Sequence, residues 1–368
     1  MQAESPGLTG RGLRRLGLPG LIALLCSGLP TIQAQDAAPL QTALINPRAI
    51  AVNQITHRVY VVDQSEGQVI MVDEASGATT AIPVGKVPDA LAIDPLANRI
   101  YVVNSGSDTV SLIDGATEAV VATVPTGRMP YAIQVDPQLH RALVANTYSS
   151  VVTQIEGANN QATSLPLGAR DAIAIDTKLH RVYLIGYEDA GLLIFEEGAG
   201  TQRHEPAAMH LWGLAVDEAR SVLYATESQN NAVLVLDEKS GAKATIPTGA
   251  FPCAAAVDPR TGLVYVLNYG DNSVTVVDGS AGKAIATIPV GDRPEAIAVD
   301  GVRGRIYVAN THSDSVSVID GRSGKVTATL PGGHNPYAIA IDDARGDAYV
   351  ASFGTPSFTR LNTASLPR

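Results

Sequence analysis

The chain has 368 residues, 26 of them basic and 36 acidic, for a formal charge of −10. An acidic surface opposes non-specific binding to nucleic acid or anionic lipid, so nucleic acid is not an expected partner. With only two cysteines, Cys26 and Cys253, haem attachment through C-x-x-C-H and a disulfide framework are both excluded.

The N-terminus carries Arg11, Arg14 and Arg15, an apolar run from Leu16 to Leu29 broken by glycine and proline, and Thr31-Ile32-Gln33-Ala34 before polar Gln35-Asp36. This is the pattern of a secretory signal peptide, with cleavage expected after Ala34. Residues 35–368 then form a single periplasmic or secreted domain. The apolar run is short for a transmembrane span and no second candidate follows, so no membrane span is expected after cleavage. Leu25 stands where a small residue would precede a lipidated Cys26, which argues against a lipid anchor. The leader removes three arginines and Glu4, so −10 becomes −12. Cys253 is then the only cysteine, and stability must come from packing.

Nearly everything after residue 40 repeats. An aspartate or asparagine ends each apolar run of the type AIAVD, at Asn53, Asp94, Asp136, Asp176, Asp217, Asp258, Asp300 and Asp342, with spacings of 41, 42, 40, 41, 41, 42 and 42. A fixed period of this size marks a repeat architecture. Within the stretch Tyr101 to Gly127 and its flanks, Ala90–Ile93, Ile100–Val103, Val110–Ile113 and Ala119–Val124 each have strand length and composition. Four short antiparallel strands per 41 or so residues predict an all-β chain, a β-propeller whose blades bury both faces against their neighbours. Eight markers predict eight blades; seven is the alternative if the fourth unit is irregular.

Ten residues beyond the markers stand Asp63, Asn104, Asn146, Gly186, Glu227, Asn268, Asn310 and Ser352, expected to cap the second turn. Twenty beyond stand Asp73, Asp114, Glu156, Glu196, Asp237, Asp278, Asp320 and Asn362, expected to form hairpin turns. Recurrence assigns these acids to folding rather than catalysis. Four and two residues before the markers the chain holds mostly alanine, as the crowded inner strand of a propeller requires; Gln134 is the polar exception, read as satisfied within the channel. The eighth unit lacks a full fourth strand after Phe358–Asn362, and Leu40 to Ile45 is expected to supply it, closing the ring and removing exposed edges.

The YVVN of Tyr101–Asn104, the YVLN of Tyr265–Asn268 and the YVAN of Tyr307–Asn310, each leading into SVTVVDG-like and ATIPVG-like stretches, resemble the YVTN-type β-propeller repeat family over about residues 40 to 362. The resemblance implies a secreted, periplasmic or surface-layer propeller. Similar propellers include DNA binders, lactonases and lyases. Quinoprotein propellers carry tryptophan docking motifs and an aromatic cofactor floor, whereas this chain has one tryptophan, Trp212, so no quinone or other cofactor is expected. The Gly-His and Trp-Asp dipeptides of WD repeats do not recur.

A repeat commits its consensus to folding, so function is sought where copies disagree. Five residues before the markers, near the mouth of the channel, the copies read Arg48, Asp89, Tyr131, Asp171, Trp212, Cys253, Glu295 and Tyr337. The loops entering those strands add Lys86, Arg128, Met129, His210, Phe251, Asp292, Arg293, His334 and Asn335. The turns after the second strand, expected on the same face, add Tyr148, Tyr187, Glu188, Tyr269, His312, Asp314 and Phe353. Aromatic rings beside a few charges suit a ligand or peptide surface. Ligand-binding candidates are Arg48, Asp89, Arg128, Tyr131, Asp171, His210, Trp212, Arg293, Glu295, His312, His334 and Tyr337.

His57, His140 and His180 recur before Arg58, Arg141 and Arg181 on the opposite face and are read as structural. His210, His312 and His334 lack short ligand spacing, so no metal site is expected. For catalysis, Glu295 or Asp171 would be the base, Arg128 or Arg293 would stabilise an oxyanion, and His334 is a further candidate. Cys253 is expected to be buried and inert, with an approach by Arg293 the alternative. Units of even length leave no lid. The expectation is a monomeric binding module for a peptide, glycan, partner protein or small-molecule ligand; the alternatives are a hydrolase or lyase acting on a small lactone-like metabolite and, more weakly, a DNA binder.

Overall fold

Each repeat folds as four antiparallel strands because its apolar stretches are rich in valine, isoleucine and tyrosine and are separated by turn-forming residues. A computed structural model describes residues 39–40, 47–168, 170–186, 191–207, 210–353, 358–361, 363 and 366, all within the unit Ala34–Arg368. The expected signal peptide lies outside the described residues. Eight four-stranded sheets are present, and the fourth, from Ala172–Asp176 to Thr201–Glu205, is complete. We number the blades 1 to 8 in the order of their markers. Inner strands of neighbouring blades adjoin all the way round, and Pro336–Asp342 of blade 8 lies beside Pro47–Asn53 of blade 1. The molecule is an eight-bladed β-propeller. A single 3₁₀ turn, Thr311–Ser313, is the only helical element among the described residues.

Closure follows the expected route. Pro39–Leu40 pairs with Phe358–Leu361 as the outer strand of blade 8, with Pro39 opposite Thr359 and Leu40 opposite Phe358. The pairing thus begins one residue before the expected Leu40, and residues 41–46 lie outside the described ones. On the face opposite the channel mouth, Gln54 Nε2 donates to the Ile341 carbonyl at 2.6 Å and His57 Nδ1 meets Asp342 at 2.5 Å, tying blade 1 to blade 8.

The marker aspartates are buried turn formers, and three of them, Asp94, Asp136 and Asp342, also join blades. Asp94 Oδ1 accepts from the backbone of Leu96 and Ala97, while its other oxygen lies 2.7 Å from His140 of the next blade. His180 and Asp136 repeat the contact. The acids twenty residues on cap the outer hairpins: Asp114 accepts from Ala116 and Thr117, and these backbone bonds hold its carboxyl below the usual range.

The asparagines ten residues beyond the markers work differently from the expected turn cap. Asn104, Asn146, Asn268 and Asn310 donate inward to Ser111, Thr153, Thr275 and Ser317 on the third strand of the same blade. Each amide also sits against a glycine of the entering loop, Gly85, Gly127, Gly249 or Gly291, where a Cβ would come within 2.8 Å of the amide group. Glycine, asparagine and hydroxyl residue therefore form one seal. The Gln134 side chain is exposed and makes no hydrogen bond to another described residue, which leaves it open to solvent.

The second strand of seven blades carries a buried tyrosine, Tyr60, Tyr101, Tyr183, Tyr224, Tyr265, Tyr307 or Tyr349. It packs toward the residue after the next blade's hairpin acid. That residue is often glycine: a Cβ on Gly157, Gly279 or Gly321 would come within 2.9 Å of the hydroxyl of Tyr101, Tyr224 or Tyr265. Blade 3 has Leu143 instead of tyrosine; the residue after the next blade's hairpin acid is Glu197, whose Oε2 is 3.3 Å from Arg141, as Glu238 Oε2 is 3.1 Å from Arg181 in the blade of Tyr183. Burial pushes the Glu197 carboxyl up to about 7, against the opposing pull of Arg141.

Two outcomes follow. Gly291→Ala would place a Cβ 2.4 Å from Ser313 Oγ and 2.6 Å from Asn310 Cγ; it is expected to cost about 1–3 kcal/mol in urea unfolding, whereas Gly198→Ala, with nothing within 4 Å, should be close to neutral. The folded chain holds the Glu197 proton more tightly than the unfolded chain, so this contribution to stability is complete below the ordinary carboxylate pKa and is lost as pH rises through about 7. Thermal unfolding between about pH 5 and pH 8 should show that loss, and Glu197→Gln should flatten it; an unchanged profile would rule the group out.

Candidate functional site

The positions where the copies disagree are also where the strands break register. In every blade except the fourth, the inner strand slips against its neighbour at this point, between Pro47 and Ala49, Pro88 and Ala90, Pro130 and Ala132, Leu211 and Leu214, Pro252 and Ala254, Pro294 and Ala296, and Pro336 and Ala338. The unpaired residue in each interval is the variable one, or Trp212 with Gly213. A bulge releases a residue from the ladder and re-aims its side chain, so Arg48, Asp89, Tyr131, Trp212, Cys253, Glu295 and Tyr337 are freed from pairing constraints. Asp171 differs: it precedes Ala172–Asp176, and its N–H donates to the Ile185 carbonyl at 2.9 Å.

Two residues upstream, Val87, Met129, His210, Phe251, Arg293 and Asn335 all have φ between 49° and 64°. A β-branched or bulky side chain in the left-handed region is strained. In four cases the preceding blade holds the loop: Asp108, Asn231, Asn272 and Asp314 accept from the N–H of Met129, Phe251, Arg293 and Asn335 at 2.8–2.9 Å. The entering loops also bond to the turns after the second strand, as Thr147 and Tyr148 do to Met129 and Arg128, and His312 to Asp292. Loops and turns therefore share the channel-mouth face. Tyr187 and Glu188 lie outside the described residues.

Side chains on this face gather into two groups. At the mouth, the Arg48 guanidinium lies 4.8 Å from the centre of the Tyr337 ring and 3.7 Å from Asp89. Asp89 also accepts from Ser105 and Gln64, so it is held within its own surroundings. Tyr337 is raised above the ordinary phenol value, chiefly by burial and against the pull of Arg48, with the Tyr131 hydroxyl and Glu295 also acting on it. Blades 1, 2, 3, 7 and 8 thus meet here. Cys253 is half-buried, its Sγ 3.6 Å from the Pro294 carbonyl, and burial followed by the nearby Glu295 charge pushes its thiol up to about 12. A thiol in that state is a poor nucleophile. Arg293 instead lies over Tyr269 and beside His312.

The second group is an arc across blades 5, 6 and 7. Trp212 and Phe251 have ring centres 5.8 Å apart at 60°, and Phe251 and Tyr269 6.0 Å apart at 55°. Arg293 lies over Tyr269 at 5.4 Å, and its Nη1 is 3.1 Å from His312 Nε2. Trp212 and Phe251 remain 49% and 40% exposed. The sequence reading placed Trp212, Arg293 and His312 among the binding candidates but left Phe251 and Tyr269 outside that set. Their signal was present, as aromatic residues in the loops of two successive blades, but adjacency in space was not.

The other candidates are dispersed. His334 lies 3.2 Å from Asp314, itself held below the usual carboxylate range first by the Asn335 N–H and then by His334. Among the described residues no hydrogen bond or ion pair joins Glu295 or Asp171 to Arg128, Arg293 or His334. No group of three histidine, cysteine, aspartate or glutamate side chains among the described residues is arranged to hold a metal ion, and no helix among them is long and apolar enough to cross a membrane.

No protein-family model matches the sequence, and comparison with curated proteins finds no match. Solved structures do match. Hydrazine synthase from Kuenenia stuttgartiensis aligns with a TM-score of 0.59 at 19% identity, over 78% of this chain and 98% of that one. The dihydro-heme d1 dehydrogenase NirN in complex with DHE aligns at 0.67 and 16%, over 82% of this chain and 69% of that one. Virginiamycin B lyase from Staphylococcus aureus aligns at 0.57 and 15%, over 72% and 92%. The likeness is one of fold. At such identities site chemistry does not transfer.

Trp212 is the only tryptophan and reports on the arc directly. Phe251→Ala is expected to move its emission to longer wavelength and to increase quenching by acrylamide, with the far-ultraviolet circular dichroism unchanged. Unaltered fluorescence would place the indole away from Phe251.

Proposed function

We propose that the protein is a binding module that takes a peptide or a segment of a partner protein on the channel-mouth face. The observation that carries this reading is the exposed arc Trp212–Phe251–Tyr269–Arg293. Tryptophan, tyrosine and arginine dominate the energetics of protein interfaces because each combines large buried area with a polar handle. The rings are mutually tilted, at 60° and 55°, so together they form no single flat platform. The rim holds His312 and Asp292, 3.9 Å apart and exposed, which could give orientation at little desolvation cost.

The leader pattern supports a periplasmic or secreted location, and the YVTN-type repeat remains our reading of the motif. Screening a displayed peptide library against the mature chain would test the function. Selected peptides should bind saturably, and Trp212→Ala and Tyr269→Ala should each weaken them at least tenfold, or about 1.4 kcal/mol. Peptides that bind both variants as well as the parent would remove the arc from the function.

A further inference from the structure

Blade 5 lacks the seal found in blades 2, 3, 6 and 7. In blades 2, 3, 6 and 7 a glycine of the entering loop, an asparagine and a third-strand serine or threonine pack as one group, as Gly85, Asn104 and Ser111 do. At the corresponding positions blade 5 has Ala208, Glu227 and Leu234. Glu227 is the only glutamate at its register position, and Leu234 offers it no hydrogen bond. The side chain is larger than asparagine and its hydroxyl partner is gone, so the same closure cannot form.

A cleft of about 590 Å³ lies there, between the end of blade 4 and the outer half of blade 5. Pro206, Ala207, Leu234, Ala244 and Pro247 give it apolar walls, and Glu227 supplies a carboxylate. Its volume is that of a small-molecule site. Glu227 is only 4% exposed, and among the described residues its one side-chain hydrogen bond is from Asn230 Nδ2 to Oε2, at 3.3 Å. The two cations nearby are engaged elsewhere. Lys243 Nζ is 2.5 Å from Glu205, and Arg203 pairs with the same carboxylate. Those contacts hold Glu205 below its ordinary range, Lys243 being the larger influence. The cleft therefore combines apolar walls with a buried carboxylate that has no cationic partner among the described residues, and a buried carboxylate is costly until it is paired.

We infer that this cleft binds a small organic cation, an ammonium or guanidinium group on an apolar body, with the charged head at Glu227. The site is separate from the aromatic arc, and its test does not depend on the peptide-binding reading.

Benzylammonium is the probe, with benzyl alcohol as its neutral counterpart, followed by titration calorimetry and ligand-observed NMR on the mature chain. Saturable binding of benzylammonium at least tenfold tighter than benzyl alcohol is expected. Glu227→Gln should abolish that preference, Ala244→Phe should block both ligands by filling the cleft while leaving Glu227 in place, and Trp212→Ala should change neither. Melting temperatures identify any variant that fails to fold; if Glu227→Gln does so, Ala244→Phe decides. Equal binding of amine and alcohol, absence of saturation, or benzylammonium binding that survives both Glu227→Gln and Ala244→Phe would overturn the assignment. Binding lost with Trp212→Ala and kept in the two cleft variants would place the cation on the arc instead, and would also overturn it.

Discussion

The seam between blades is the interaction on which the rest of this molecule depends. A four-stranded blade is apolar on both faces and cannot bury either alone. The second-strand tyrosine crosses to the next blade, where glycine at several of the facing positions lets the ring approach, and at three seams a marker aspartate meets a histidine of the next blade. Where the facing residue is a glutamate, at Glu74, Glu197 and Glu238, a buried carboxylate pairs with an arginine, Arg345, Arg141 or Arg181, a costlier arrangement than apolar packing because both groups lose water. The ring also needs a last seam, and Pro39–Leu40 with the contacts of Gln54 and His57 supplies it.

Given a ring held at its seams, the face at the channel mouth is free to vary. The inner strands must hold small residues where they crowd the axis, but at the bulge the ladder is already interrupted, so a side chain of any size costs little there. This explains why arginine, aspartate, tyrosine, tryptophan, cysteine and glutamate all occur at one register position. The left-handed loop residues just upstream are strained, and the Asp or Asn of the preceding blade that grips their N–H groups keeps the loops in place. A rigid scaffold with variable loops at one end is the usual arrangement for recognition.

The two sites proposed here arise from opposite departures. The arc adds aromatic residues to loops whose frame remains regular, while the cleft lies beside a blade that has a buried glutamate and a leucine where others have the glycine–asparagine–hydroxyl group. Sequence comparison among the eight copies detects the first kind readily, because the variable position stands out. The second kind escapes notice when each position is read separately: Glu227 resembles another turn residue until it is seen to face Leu234 and an open seam.

Period, strand pattern and the missing outer strand of the eighth unit were enough for the sequence by itself to determine an eight-bladed ring with its closing strand, because these features rest on local propensity and on the rule that every blade face must be covered. It also assigned Asp114 and its counterparts to turns, since a residue present in nearly every copy must serve the copy. Only the tertiary structure decided that Asn104 seals its blade internally, that His140 reaches Asp94 in another blade, and that Trp212, Phe251, Tyr269 and Arg293 form one surface. Those relations join residues from 7 to about 80 positions apart, set by the packing within each blade, the curvature of the ring and the aim of each bulge, and a linear repeat carries no record of these.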